Sequence, residues 1–222
     1  MLEVEGVTKR FGALVALDNV SFKVDGKRLG IIGPNGAGKT TLFNVISGFL
    51  KPNRGRVRFN GKDITGLRPS KIAEMGLVRT FQLLKVFKSL TVQENLSIVS
   101  DDSKDLLELV DLWEKRNVLA GNLSQGEMRK LGIALALAKK PKMLLLDEPF
   151  SGLSPIECES LIDVLKNVRT PMVMIEHKLG ELFDLVDRVV VLNFGKVIFE
   201  GKPEEAMKDS RVVEAYIGED YA

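Results

Sequence analysis

The stretch Gly33-Pro34-Asn35-Gly36-Ala37-Gly38-Lys39-Thr40 has the residue types and spacing of a loop that wraps a row of phosphates. Its glycines let the backbone curl so that successive N–H groups point inward, and a following helix adds the positive end of its dipole. Lys39 has the length to reach β- and γ-phosphates, and the Thr40 hydroxyl, with Thr41 behind it, suits Mg²⁺. A chance glycine-rich turn is the plain alternative. It would not explain the apolar strand Arg28–Gly33 that enters the loop, or the helical pattern that leaves it near Lys39 and ends before Pro52.

Two further groups fall at strand ends. The apolar run Met143–Asp147 delivers Asp147 and Glu148 to the carboxyl edge of a buried strand, where open α/β sheets bind ligands. Asp147 would orient the water shell of Mg²⁺, and Glu148, one residue nearer the γ-phosphate, would polarise an attacking water. Alone, such an acidic pair is more often a helix-start cap; a phosphate loop in the same chain reverses that reading. His177, the only histidine, closes the apolar run Pro171–His177 and so reaches the same edge. Hydrogen bonding to γ-phosphate and water fits it better than metal ligation, because the chain has no second histidine and no thiol cluster. The catalytic candidates from spacing are thus Lys39, Glu148 and His177. A last segment, Asn122-Leu-Ser-Gln-Gly-Glu-Met-Arg-Lys130, starts a helix: the Ser124 hydroxyl and Glu127 carboxylate are spaced to satisfy two free N–H groups. Nothing local explains Gly126 in that first turn, where glycine weakens a helix.

The elements that must position these residues are legible as patterns. Leu2–Val7, Val20–Val24 and Arg56–Phe59 read as strands, with a tight turn at Asn60-Gly61. Between Leu83 and Asn122 the signals are helical, TVQENLSIV and LLELVDLWEK flanking an acidic break, DDSKD. Leu123–Lys140 and Pro155–Val168 read as helices, and Val189–Gly201 as a hairpin. Helices alternating with continuous apolar strands predict a parallel sheet buried on both faces.

The 222 residues carry 32 basic and 30 acidic side chains, a formal +2, with 45% hydrophobic residues. That is enough for a sizeable core, and the even balance gives no electrostatic footprint for nucleic acid. The single cysteine, Cys158, rules out an internal disulfide and fits a reducing compartment. No secretory signal opens the chain and no run nears the ~20 apolar residues of a membrane span. The expectation is a cytoplasmic protein that meets a membrane only through a partner.

GPNGAGKTT (Gly33–Thr41), TFQ (Thr80–Gln82), LSQGE (Leu123–Glu127), MLLLDEP (Met143–Pro149) and IEH (Ile175–His177), in this order, resemble the ATP-binding cassette (ABC) ATPase family over nearly the whole chain. The resemblance implies an α/β P-loop NTPase core with a parallel sheet, an N-terminal antiparallel β part and a small α-helical subdomain. Residues 1–82 and 132–222 would form the core and 83–131 the helical part. It implies ATP and Mg²⁺ as ligands, with Thr40, Gln82 and Asp147 around the metal. Gln82, otherwise an ordinary loop amide, would sense Mg²⁺ and γ-phosphate beside a transmembrane permease. Phe11, in KRFGALVAL, sits where the family stacks an aromatic on adenine, a core aromatic being the competing reading. Ser124, Gln125, Gly126 and Glu127 would form the signature that faces the ATP of a second ATPase subunit. Ser124 and the Gly126 amide would contact its γ-phosphate, which gives the glycine a reason. The commonest family form is Leu-Ser-Gly-Gly-Gln, so Gln125 and Glu127 depart from it.

Val78–Leu96 and Val212–Tyr221 look most like ATPase subunits of branched-chain amino-acid importers, which work on the inner face of the cell membrane with a permease and a substrate-binding protein. Some lipopolysaccharide-transport ATPases have a similar tail. Two features depart from the pattern: about forty residues separate Gln82 from Leu123, fewer than that subfamily has, and Ser154 stands where many members have aspartate. A soluble ABC protein would carry a long coiled-coil insertion or two cassettes, a small-molecule kinase would not need LSQGE, and a GTPase would show Asn-Lys-x-Asp. The chain has LSQGE and shows no coiled-coil insertion, second cassette or Asn-Lys-x-Asp motif.

Overall fold

The computed structural model describes residues 1–80, 86–100 and 103–217. Gln82 and the end of the tail, including Tyr221, lie outside the described residues. In chain order the elements are β1 (Leu2–Phe11), β2 (Leu14–Val24), β3 (Arg28–Ile32), α1 (Lys39–Ile46), β4 (Arg54–Phe59), β5 (Lys62–Asp63), α2 (Pro69–Glu74) and β6 (Leu77–Arg79). There follow α3 (Val92–Ser97), α4 (Ser103–Leu109), 3₁₀ turns at Trp113–Lys115 and Ala120–Asn122, α5 (Gln125–Ala138) and β7 (Met143–Asp147). The chain continues through α6 (Pro155–Asn167), β8 (Met172–Ile175), α7 (Leu179–Phe183), β9 (Arg188–Asn193), β10 (Lys196–Gly201), α8 (Pro203–Ala206) and α9 (Ser210–Ile217).

These strands build two sheets. One is antiparallel, ordered β2-β1-β4-β5; the other is ordered β10-β9-β3-β8-β7-β6 and is parallel from β9 to β6, with β10 as an antiparallel edge. Strand periodicity divides the large sheet between two cores. Ile31, Leu145, Val173 and Val190 pack with α1 and with the inner face of the small sheet, through Phe43, Val20 and Val57. Leu144, Leu146, Met174 and Val191 face the other way, onto Leu131 of α5 and Leu161 of α6. Val92, Leu96 and Leu107 of the short helices join this second core. The helices α3 and α4 therefore share their core with the sheet, and α5 runs unbroken across position 131.

One helical reading is corrected. LLELVDLWEK does not form a continuous helix: α4 stops at Leu109, and Asp111 adopts a left-handed φ of 55°. The Leu112 amide then donates back to the Leu107 carbonyl at 2.8 Å, a Schellman closure with both leucines buried. The helix α2 and the three-residue strand β6 are too short and too weakly patterned to be read from sequence. Among the described residues no helix is long and apolar enough to cross a membrane.

Arg28 ties the first strand of the large sheet to the helix before β8. Its Nη2 donates to the carbonyls of Leu165, Lys166 and Val168 at 2.9, 3.0 and 2.9 Å, at the negative end of α6. Replacing Arg28 by Ala is expected to cost about 2 kcal/mol. Calorimetry should read this as a fall in Tm of roughly 4–8 °C.

Candidate active site

The loop between β3 and α1 is wedged against its neighbours so tightly that only glycine backbone fits. A Cβ on Gly33 would lie 2.0 Å from the Leu192 carbonyl oxygen of β9, and one on Gly38 would lie 2.5 Å from the Ala16 carbonyl oxygen of β2. Both residues have positive φ, 146° and 103°. The first turn of α1 has no capping side chain and no acidic residue. The positive end of its dipole therefore faces the loop as an anion site. Lys39 is buried, its ammonium donating to the Gly33 and Pro34 carbonyls at 2.5 and 2.9 Å. An open cleft of about 410 Å³ runs along this loop, from Asn35 to Thr41. Phe11, Leu14, Val15, Ala16 and Phe194 line it beside the loop, and Glu148 and His177 also border it. Phe11 is 45% exposed, which removes the core-aromatic reading.

Glu148 follows β7 in a left-handed conformation, φ 47°, uncommon for a side chain of its size. Its amide donates to the Ile175 carbonyl of β8 at 2.9 Å, and its Oε1 lies 3.3 Å from His177 Nε2. The structure thus joins the acid and the histidine that the sequence placed on separate strands. Asp147 stands differently. Its carboxylate is almost buried and meets Arg79 Nη2 at 2.6 Å, while Arg79 Nη1 donates to Asn44 Oδ1 and Ser47 Oγ of α1. No cluster of three metal-ligating side chains exists among the described residues. A Mg²⁺ here would depend on nucleotide oxygens, the exposed Thr40 and water, with Asp147 behind, as suits an ion that keeps much of its hydration.

The helix α5 starts where Ser124 and Glu127 predict, with both hydrogen bonds of a capping box. The Glu127 carboxylate accepts from the Ser124 amide at 3.0 Å and from the Lys115 ammonium, and Glu127 lines the cleft at the helix entrance. The entrance is filled by a carboxylate from α6. Glu157 Oε1 accepts from Ser124 Oγ and from the Gly126 amide, each at 2.9 Å, and its Oε2 from the amide and hydroxyl of Ser154 at 3.1 and 3.0 Å. A Cβ on Gly126 would lie 2.9 Å from Glu157 Cγ. Ser124, Gly126 and Glu157 open into a second cleft of about 330 Å³, which shares no lining residue with the first.

The model of the ABC transporter family matches residues 17–151, and that of the branched-chain amino acid ATP-binding cassette transporters matches residues 196–222. The chain belongs to the ABC transporter family. It is the ATP-hydrolysing, nucleotide-binding subunit that powers such a transporter. BraF of Pseudomonas aeruginosa, a high-affinity branched-chain amino acid transport ATP-binding protein, is 37% identical over 250 residues, 99% of this chain and 98% of its own. An ATP-binding cassette of an ABC transporter solved in its ADP conformation is 36% identical, covers 98% of both chains and superposes with a TM-score of 0.89. A dimeric cassette in a post-hydrolysis state with ADP and Pi is 25% identical over 91% of this chain and 99% of its own, with a TM-score of 0.77. The alignment with BraF spans 250 positions against 222 residues, so at least 28 of them (250 minus 222) have no residue from this cassette.

Several residues of this ABC site escape sequence reasoning. Arg79 immediately precedes the TFQ segment, in a strand too short to recognise. Glu176, at the end of β8, is buried and accepts from the amides of Phe150, His177 and Lys178 at 2.6, 3.0 and 3.4 Å. Burial pushes its carboxyl up from the ordinary value against those donors. Glu157 had a local signal, since Ser154-x-x-Glu157 repeats the spacing of Ser124-x-x-Glu127, but its contact with α5 did not. Hydrogen bonds from the Gly126 and Ser154 amides lead the causes that hold the Glu157 carboxyl down at about 2, against 4.5 unperturbed. A depressed pKa adds stability above the unfolded value and loses it as pH falls towards the folded one. Glu157→Gln is therefore expected to lower Tm near neutrality, the gap closing as pH falls from about 4.5 towards about 2. Melting curves from about pH 6 to about pH 3 would show it, and a gap independent of pH would remove the carboxylate from this role.

Proposed function

We propose that two such chains, or this chain and a second ATPase subunit, sandwich two Mg·ATP between phosphate loop and signature, on a permease at the inner face of the cell membrane. The cargo is a branched-chain amino acid or a similar small solute, handed to the permease by a substrate-binding protein. The cargo reading is supported by BraF and by the tail that matches the branched-chain cassettes. The sandwich rests on one observation: the chain carries two anion-receptive N-termini, of α1 and α5, in clefts with no residue in common. Each chain supplies one half of two sites. The helical part, 83–131, is the lobe that carries the signature and faces the permease together with Gln82.

Within a site, the Lys39 ammonium exchanges the Gly33 and Pro34 carbonyls for β- and γ-phosphate oxygens, and Phe11 stacks on adenine. Thr40, Gln82 and Asp147 are the residues that would hold Mg²⁺, which would supply neutralisation of phosphate charge. Glu148 Oε1 takes up the proton side of the attacking water as its oxygen bonds phosphorus in line and the bond to the ADP oxygen breaks. His177, already against Glu148, holds the γ-phosphate and that carboxylate in register. Catalysis of this kind is positional and electrostatic. On the other face, the γ-phosphate replaces Glu157 on Ser124 Oγ and the Gly126 amide, since two anions do not share those donors. Gln125 lies between these two donors in sequence, and Glu127, bound to Lys115, lines the same cleft.

Glu148→Gln is expected to keep ATP binding, to lose hydrolysis by at least about 100-fold, and to run as a dimer with ATP on size exclusion. Unimpaired turnover would remove Glu148 from the base role. In that background, Glu157→Gln is expected to dimerise at lower ATP than its parent, and Gly126→Asp to bind ATP but stay monomeric. Capture of the permease from detergent-solubilised membranes, followed by ATP-dependent leucine uptake into proteoliposomes, tests the cargo.

A further inference from the structure

The turn between β9 and β10 carries a residue its own geometry disfavours. Phe194 and Gly195 connect the two strands with φ of 44° and 75°, the paired left-handed conformation of a tight primed hairpin. Asparagine, aspartate or glycine suits the first of these positions, and a bulky side chain there is strained. Packing does not repay the strain, because Phe194 is 84% exposed, more than any other large apolar side chain described as exposed. The turn is also held firmly in one place. The Gly195 amide donates to the Ala37 carbonyl of the phosphate loop at 3.0 Å, and the Gly195 carbonyl accepts from the Asp18 amide of β2 at 2.8 Å. Phe194 is thereby fixed by its backbone to the loop that holds the phosphates, at the mouth of the cleft that Phe11 and Leu14 also line. Leu14 is 66% exposed, so three unsatisfied apolar groups surround one end of a cleft whose other end is built for anions.

We propose that Phe194 is a base-contacting residue: its ring packs on the purine of the bound nucleotide from the β9–β10 turn, while Phe11 approaches from the β1–β2 turn. The inference rests on the nucleotide reading of this cleft and adds a second aromatic to it. A flat apolar heterocycle is the chemistry that covers all three groups, and stacking on an aromatic ring strengthens binding without any hydrogen bond to the base. Because the turn is bonded to Ala37, the distance between base contact and phosphate contact is set by the fold.

The test compares Mg·ATP with inorganic tripolyphosphate, which has the phosphates and lacks the base, by isothermal titration of the purified full chain. Phe194→Asn places a residue favoured by the turn, so the variant is expected to melt at or above the parent temperature. Its ATP affinity is expected to fall roughly tenfold, within the range of base–aromatic stacking, with tripolyphosphate affinity unchanged. Phe194→Trp is expected to restore ATP affinity and to show indole quenching by ATP and not by tripolyphosphate. Unchanged ATP affinity in Phe194→Asn, or an equal loss for both ligands, overturns the base contact. Failure of the phosphate-site reading is seen separately: Lys39→Ala would then bind both ligands as tightly as the parent.

Discussion

Everything at this site depends on how closely three pieces of backbone approach one another around the phosphate loop. The end of β9 presses its Leu192 carbonyl against Gly33, and β2 presses its Ala16 carbonyl against Gly38. No side chain fits in either gap, so the loop is held by contact on both sides and has one shape. This wedge aligns the first turn of α1 with the strand ends on either side of β3, and it couples the antiparallel sheet to the nucleotide cleft. It also fixes where Phe194 stands, since Phe194 follows directly from β9, one of the strands that form the wedge.

The second constraint is charge. Asp147, Glu148 and Glu176 end two adjacent parallel strands, and three carboxylates so placed repel one another unless each is compensated. Each has a different partner: Arg79 for Asp147, His177 for Glu148, and three backbone amides for Glu176. The arrangement separates their roles. Asp147 is locked and polar, Glu176 is buried and shapes the loop through Phe150, and Glu148 alone of the three borders the cleft at the phosphate loop. Its left-handed backbone, a local cost of roughly 1–2 kcal/mol, is tolerated because the hydrogen bond to Ile175 and the contact with His177 hold it there. Burial lowers the pKa of Arg129 of α5, and the negative charges of Glu176, Glu148 and Asp147 oppose that shift. The signature helix thus feels the charge state of the acids in its own chain.

At the start of α5 the same electrostatics produce an intramolecular stand-in for phosphate. Glu157 satisfies the donors that the sandwich arrangement assigns to the γ-phosphate of the partner's ATP, and it brings Ser154, the position that departs from the family's usual aspartate, into the same network. The Glu157 carboxylate links the loop after β7 to the entrance of α5. The connection runs through side chains on elements that the sequence shows only as two separate capping boxes.

The sequence by itself determined the chemistry of the loop, the alternation of buried strands and helices, and the strand-end positions of Asp147, Glu148 and His177. It did so because these are local properties: glycine spacing, apolar runs and periodicity operate over a few residues. It also determined the Ser124–Glu127 capping box, which needs only a three-residue interval. Tertiary structure alone decided which groups meet. Arg79 reaches Asp147 across 68 positions, Glu157 reaches Ser124 across 33, and Arg28 reaches the end of α6 across more than a hundred. It also decided the break at Asp111, where closure of Leu112 onto Leu107 outweighed a continuous helical pattern. Such pairings depend on sheet order and on which face of a strand is turned to which layer, and no periodicity in a linear chain records that order.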